Sequence, residues 1–263
     1  MKRSLFIFLS LLVTPGLSDT RGCLEIISSL VDRPSTLNTA HSRLDTLEKA
    51  TGRGSLLDYR EKLSTKSIKR HNNELLDALK EPAPVSDPDK VFSLNKQDAN
   101  FLVDLLRKHP TNGEKHEKKY DPEECYGFCF GRATLIHNEA LRRNMDPESI
   151  KKIWAVGSLE KGKWHFHVAT MIKAKGKGSW WVCDPVYSVA ISAEEWIRRM
   201  RHSSDDSRMM VFVTDPRRFS VYDPKNYTAI DLLGDGKSDF YNGYFKDYLE
   251  HVQTEAQPKP FKN

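Results

Sequence analysis

Between residues 152 and 184 the chain carries three strand-like runs joined by connections too short for anything but hairpins. Residues 152–159 (Lys-Ile-Trp-Ala-Val-Gly-Ser-Leu) read as β, and Glu-Lys-Gly-Lys at 160–163 reads as a turn. Residues 164–172 alternate, a Gly-Lys-Gly turn follows at 176–178, and 179–184 form a third run that stops at Pro185. Such spacing makes neighbouring strands antiparallel. Residues 208–213 add one more strand, and between them Ser192 caps a short helix over 193–201 with Glu194 and Glu195 in its first turn.

Upstream the period changes from two to that of a helix. Residues 19–80 space Leu24, Ile27, Leu30 and Val31, then Leu56, Leu57, Tyr59 and Leu63, then Leu75, Leu76 and Leu79 as helical faces. Residues 81–90 contain three prolines and read as an extended linker, which places a boundary there. Beyond it, Ser93 or Asn95 can cap a helix whose apolar face is Phe101, Leu102, Leu105 and Leu106. A further helix is expected over 129–143, ended by Asn144 in the left-handed conformation. Helices followed by an antiparallel sheet make the fold class α+β, with a main domain over 91–255 and a frayed tail over 256–263.

The first 18 residues have the layout of an export signal. Lys2 and Arg3 precede an apolar run of nine residues from Leu5 to Val13, broken only by Ser10, and Thr14-Pro15-Gly16-Leu17-Ser18 supply a breaker and small residues. Cleavage after Ser18 is expected, and the run is too short to span a bilayer, which takes about 20 residues. The expected location is secreted or periplasmic, without stable membrane insertion. The net charge of +5, from 41 Lys and Arg against 36 Asp and Glu, is too mild for a nucleic-acid binder. Four cysteines are too few for a disulfide scaffold and point to chemistry.

Three residues carry that chemistry. Cys129 opens the helix over 129–143, where unpaired backbone N–H groups and the helix dipole favour an anionic sulfur. His167 lies in the middle of the second strand and Asp184 ends the third. Antiparallel neighbours can set the carboxylate against one imidazole nitrogen, leaving the other for Cys129. This is a nucleophile, base and orienter in Cys–His–Asp form.

The surrounding segments are Cys129-Phe-Gly-Arg-Ala133, Phe166-His-Val-Ala169 and Val182-Cys-Asp-Pro185, with Tyr120-Asp-Pro just upstream. In order and separation they resemble the segments around the catalytic triad of bacterial protein-glutaminases, over about residues 91–200. The resemblance implies a transglutaminase-like core related in layout to papain, with the nucleophile helix packed on an antiparallel sheet. It implies hydrolysis of Gln side-chain amides in proteins, with Cys129, His167 and Asp184 as nucleophile, base and orienter. No cofactor is expected. The expected partners are protein or peptide substrates with exposed Gln, and the protein itself is expected to be a monomer. Two positions depart from the family's run: Gly131 stands for its Ala and Thr134 for its His. Relatives of this type often carry an N-terminal segment that covers the cleft, so residues 19–80 are expected to serve as such a pro-segment of a zymogen.

Other readings of the same residues stay open. The triad alone does not separate deamidation from transamidation or proteolysis, and the module could bind without catalysing. His165 and His167 point to one face of a strand and, with Cys125, Cys129 or Cys183, could hold zinc, although no zinc-site spacing is present. Cys23, Cys125 and Cys183 could form disulfides in an oxidising compartment. Residues 231–239 resemble a calcium loop, but Leu233 stands where an oxygen ligand is needed.

Overall fold

The computed structural model describes residues 42–81, 89–112, 119–120, 128–176, 179–204, 207–228, 231–232 and 243–262. The export signal, Cys23, Cys125 and most of the calcium-like loop lie outside them. The described elements, in order, are α1 (Arg43–Thr51), α2 (Leu56–Glu61), α3 (Thr65–Ala78), α4 (Lys96–Lys108), α5 (Cys129–Arg142), a 3-10 turn (Pro147–Ser149), β1 (Ile150–Leu159), β2 (Trp164–Lys173), β3 (Trp180–Cys183), β4 (Ile191–Ser192), α6 (Ala193–Ser203), β5 (Met210–Thr214) and α7 (Tyr244–Thr254). The α+β class holds: helices pack against a five-stranded antiparallel sheet of order β4-β3-β2-β1-β5.

Local chemistry starts most helices. Ser42, Ser55, Ser64, Asn95 and Ser192 each accept a hydrogen bond from the backbone three residues on. Asn144 has φ 66°, the left-handed conformation its side chain tolerates. The β1–β2 turn is a left-handed run: Glu160 and Lys161 have φ 47° and 59°, and Gly162 follows at 79°. The sequence analysis reads 160–163 as a turn, but not the strain that two non-glycine residues accept there.

The two faces of the sheet are covered differently. Ile150, Trp154 and Val156 of β1 share a core with Phe130, Leu135 and Ile136 of α5, and with Leu102 and Leu106 of α4. α7 closes this face with Phe245, Tyr248 and Leu249. Ile153 and Ala155 point the other way and meet Leu44 of α1, Leu75 and Ala78 of α3, and Trp196, Ile197 and Met200 of α6. The period of two sorts β1 residues between these cores. α5 is buried at Phe130, Gly131 and every position from Ala133 to Ala140, so it is a central helix rather than a one-sided one.

Two expectations need correcting. The apolar face of α4 is Ala99, Leu102, Val103 and Leu106; Phe101 is 46% exposed and only flanked by Arg143 and Phe261. The hydrophobic run there is wider than the buried stripe, and helix rotation selects Ala99 over Phe101. The described N-terminal helices also share the sheet's own cores rather than forming a body apart. They seal the β5 edge: Asn72 Nδ2 donates to Met209 O, Val211 N donates to Asn72 Oδ1, and His71 Nε2 bonds Val211 O, each at 2.9 Å. Arg218 donates to Gly52 O and Gly54 O at 3.0 and 2.6 Å. Side chains here replace the missing neighbour strand. The tail also contacts the fold, since Phe261 N donates to Arg143 O at 3.1 Å.

Candidate active site

The site lies where β3 leaves β2. β2 runs from Trp164 to Lys173, but β3 pairs only with Thr170–Lys173, and Thr170↔Cys183 is the last rung. Continuing that register sets Asp184 opposite Ala169, so His167 is its diagonal neighbour on the same face. His167 Nε2 lies 2.7 Å from Asp184 Oδ2. The expected side-by-side pair is therefore a diagonal one, at the point where the sheet opens.

Cys129 is the first residue of α5, and Phe128 before it gives no side-chain cap. That end of the helix is directed at the opening in the sheet. Thr170 Oγ1 donates to Ala133 O at 2.6 Å, which ties α5 to β2 one turn beyond the cysteine. Cys129 is partly exposed and carries a free thiol. Its sulfur lies close enough to the His167 ring to help raise it, and both side chains line one cavity. The three residues named from the sequence thus meet at one imidazole.

The charges at this junction reinforce each other. Burial of the His167 ring opposes protonation, but Asp184, and then Cys129, outweigh it and push the ring up to about 10. Asp184 is 2% exposed, and burial alone would raise its carboxyl. The His167 charge and hydrogen bond, the Trp196 indole N–H at 2.9 Å and the Val186 N–H at 3.2 Å hold it below the usual carboxylate range. Both directions describe a carboxylate–imidazolium pair at neutral pH.

Cys183 is adjacent to Asp184 but takes no part. It is buried, its Sγ donates to Ala99 O at 3.7 Å, and burial, with the Asp184 charge, pushes the thiol up to about 12. A buried thiol in that state is unreactive.

Cys129 and His167 open into a cavity of about 160 Å³, walled by Phe128, Leu159, Trp164 and Phe166, with Arg132 and Glu160 as its charged residues. Small-molecule pockets usually run to roughly 300–1,000 Å³. This cavity fits one side chain of a larger substrate and little more. None of its lining residues belongs to 42–81.

Gly131, one of the two departures from the resembled run, has a steric reason. A Cβ there would lie 2.8 Å from Tyr244 Cε1. The Tyr244 hydroxyl in turn donates to Asn112 Oδ1 at 2.7 Å. Tyr120, noted upstream of the nucleophile helix, is buried against Phe128 and Tyr244 at 6.0 and 5.3 Å between ring centroids. Its hydroxyl donates to Asp247 of α7. α7 therefore braces the N-terminal end of α5.

Among the described residues no group of three His, Cys, Asp or Glu side chains is arranged to hold a metal, and His165 is exposed beside the site. Trp196 and the Val186 N–H escape sequence reasoning, because a tryptophan in a short amphipathic helix carries no sign that its N–H serves a carboxylate. Searches with protein-family models, curated proteins and solved structures find no match to the chain.

Proposed function

We propose that this protein is an exported protein-glutamine deamidase. The observation that carries the reading is one imidazole bonded at Nε2 to a buried carboxylate and set beside a cysteine at a helix start. The three sequence segments that resemble protein-glutaminases support the choice of substrate, and the cavity's size supports a side chain as the reacting group.

The Cys129 thiolate attacks the Gln side-chain carbonyl carbon, and the carbonyl electrons move to oxygen. N–H groups at the start of α5 stabilise that oxyanion. The His167 imidazolium gives its proton to the leaving nitrogen, the C–N bond breaks, and ammonia departs from a thioester. His167, now neutral, takes a proton from water, the resulting hydroxide equivalent attacks the thioester, and Glu leaves as Cys129 regains the imidazolium partner. Asp184 holds the ring in place and remains ionised throughout.

Incubation with casein tests this. Ammonia release without new peptide fragments is expected. New fragments would mark a peptidase, and incorporation of an added amine in place of Gln-to-Glu conversion would mark a transglutaminase.

A further inference from the structure

A tryptophan from outside the sheet governs how the acid meets the base. Trp196 lies in the first turn of α6, which Ser192 caps through Glu195 N at 3.2 Å. The residue is fully buried. It makes two contacts with the pair at once. Its indole N–H donates to Asp184 Oδ2 at 2.9 Å, the same oxygen that faces His167 Nε2 at 2.7 Å. Its ring lies along the His167 ring, with centroids 5.9 Å apart and planes 23° apart.

The other anchor of the carboxylate is the Val186 N–H on Oδ1, at 3.2 Å. One donor on each oxygen, apart from the imidazole, fixes the plane of the carboxylate. Without the indole N–H, Asp184 would be held by one backbone bond and by the ring it is meant to orient. That matters because Asp184 sits just beyond the last β2–β3 rung, where no ladder hydrogen bond fixes it. α6 packs over this gap, and Trp196 is the residue it inserts.

We propose that Trp196 is a positioning residue: its N–H locks the Asp184 carboxylate against His167, and its ring limits rotation of the imidazole. The inference rests on the triad of the proposed function, but it concerns the His167–Asp184 pair whatever the substrate.

Trp196→Phe keeps an aromatic ring and removes the N–H. NMR titration of His167 in the full chain reads the result directly. The midpoint should fall by about one pH unit, the scale of one hydrogen bond to a charged group. The alkaline limb of ammonia release should move down with it. An unchanged midpoint would overturn the proposal. So would a raised one, because that would mean the indole only withdraws charge from a carboxylate that stays in place without it. A second measurement needs no Trp196 variant. In the wild-type chain the Trp196 indole proton should resonate downfield and exchange slowly, and Asp184→Asn should move it; an indole signal indifferent to Asp184 would equally overturn the proposal. Absence of ammonia from every substrate, with the His167 midpoint still shifted in Trp196→Phe, would sink the deamidase reading and leave this inference standing.

Discussion

His167 meets Asp184 through Nε2, at 2.7 Å, so Nδ1 is the nitrogen left to serve Cys129. The imidazole bridges an acid that follows a strand and a thiol that begins a helix, and neither partner shares its element. Asp184→Asn keeps the shape and removes the charge that raises the ring. Turnover should fall by about 10²–10⁴-fold, in line with the same change in other triads. The His167 midpoint, followed by NMR, should drop well below 10 in that variant. Undiminished turnover would mean the carboxylate is only structural.

Gly131 should not accept a side chain. The Cβ of Gly131→Ala meets Tyr244 Cε1 at 2.8 Å, and Tyr244 is itself tethered to Asn112. Overpacking of this kind costs about 1–3 kcal/mol. Urea unfolding of Gly131→Ala should show that loss, and Tyr244→Leu in the same chain should recover part of it. Equal stability of wild type and Gly131→Ala would contradict the contact.

The N-terminal helices should prove necessary to the fold. Leu44, Leu75, Ala78 and Leu79 are buried in the sheet's own core, and Asn72 satisfies two backbone groups of the β5 edge. Asn72→Ala leaves Met209 O and Val211 N without that partner and should cost about 1–3 kcal/mol. A chain starting at Val91 should lose its cooperative urea transition. A folded, more active chain starting at Val91 would show instead that residues 19–80 restrain the enzyme.

Two histidines should give stability opposite dependences on pH. His137 is buried beside the Lys152 charge and against Tyr227 OH at 2.8 Å; burial, with that charge, lowers it to about 3. The unfolded chain takes up that proton from about pH 6.5 downward, so stability falls as pH drops from there toward 3. His167 is raised to about 10, so its contribution is complete below pH 6.5 and fades as pH rises toward 10. Each contribution is on the order of a few kcal/mol. Urea midpoints of wild type and His167→Asn, compared across pH, isolate the ring's share from opposing groups such as the buried Lys152, whose lowered affinity for a proton favours the fold as pH rises. The stability difference between the two chains should shrink as pH rises from 6.5 toward 10; a difference that stays constant would contradict the ring's raised affinity.

Much of this architecture is legible along the chain, for physical reasons. The turn at 160–163 fixes the first hairpin, and Asn95, Asn144 and Ser192 mark helix ends. Cys129, His167 and Asp184 are legible because a nucleophile, a base and an acid need those residue types at a helix start and on neighbouring strands. The rest depends on contacts between distant segments. Nothing in the sequence marks Trp196 as the residue whose N–H reaches Asp184. Phe101 reads as core although the α4 face that packs is the one with Ala99. No sequence pattern singles out Arg218, yet it is buried and bonded to Gly52 and Gly54. Residues 19–80 read as a cover for the cleft because helical periodicity shows that a face is apolar and not what it packs against.

The central claim is that Cys129 forms a thioester with a Gln side chain. Mixing the protein with a Gln-containing peptide, quenching in acid and weighing the intact chain tests it most directly. An adduct equal to the peptide less ammonia is expected, mapped to Cys129 alone and lost in Cys129→Ser. Conversion of Gln to Glu that persists in Cys129→Ser, or an adduct on another residue, would contradict it.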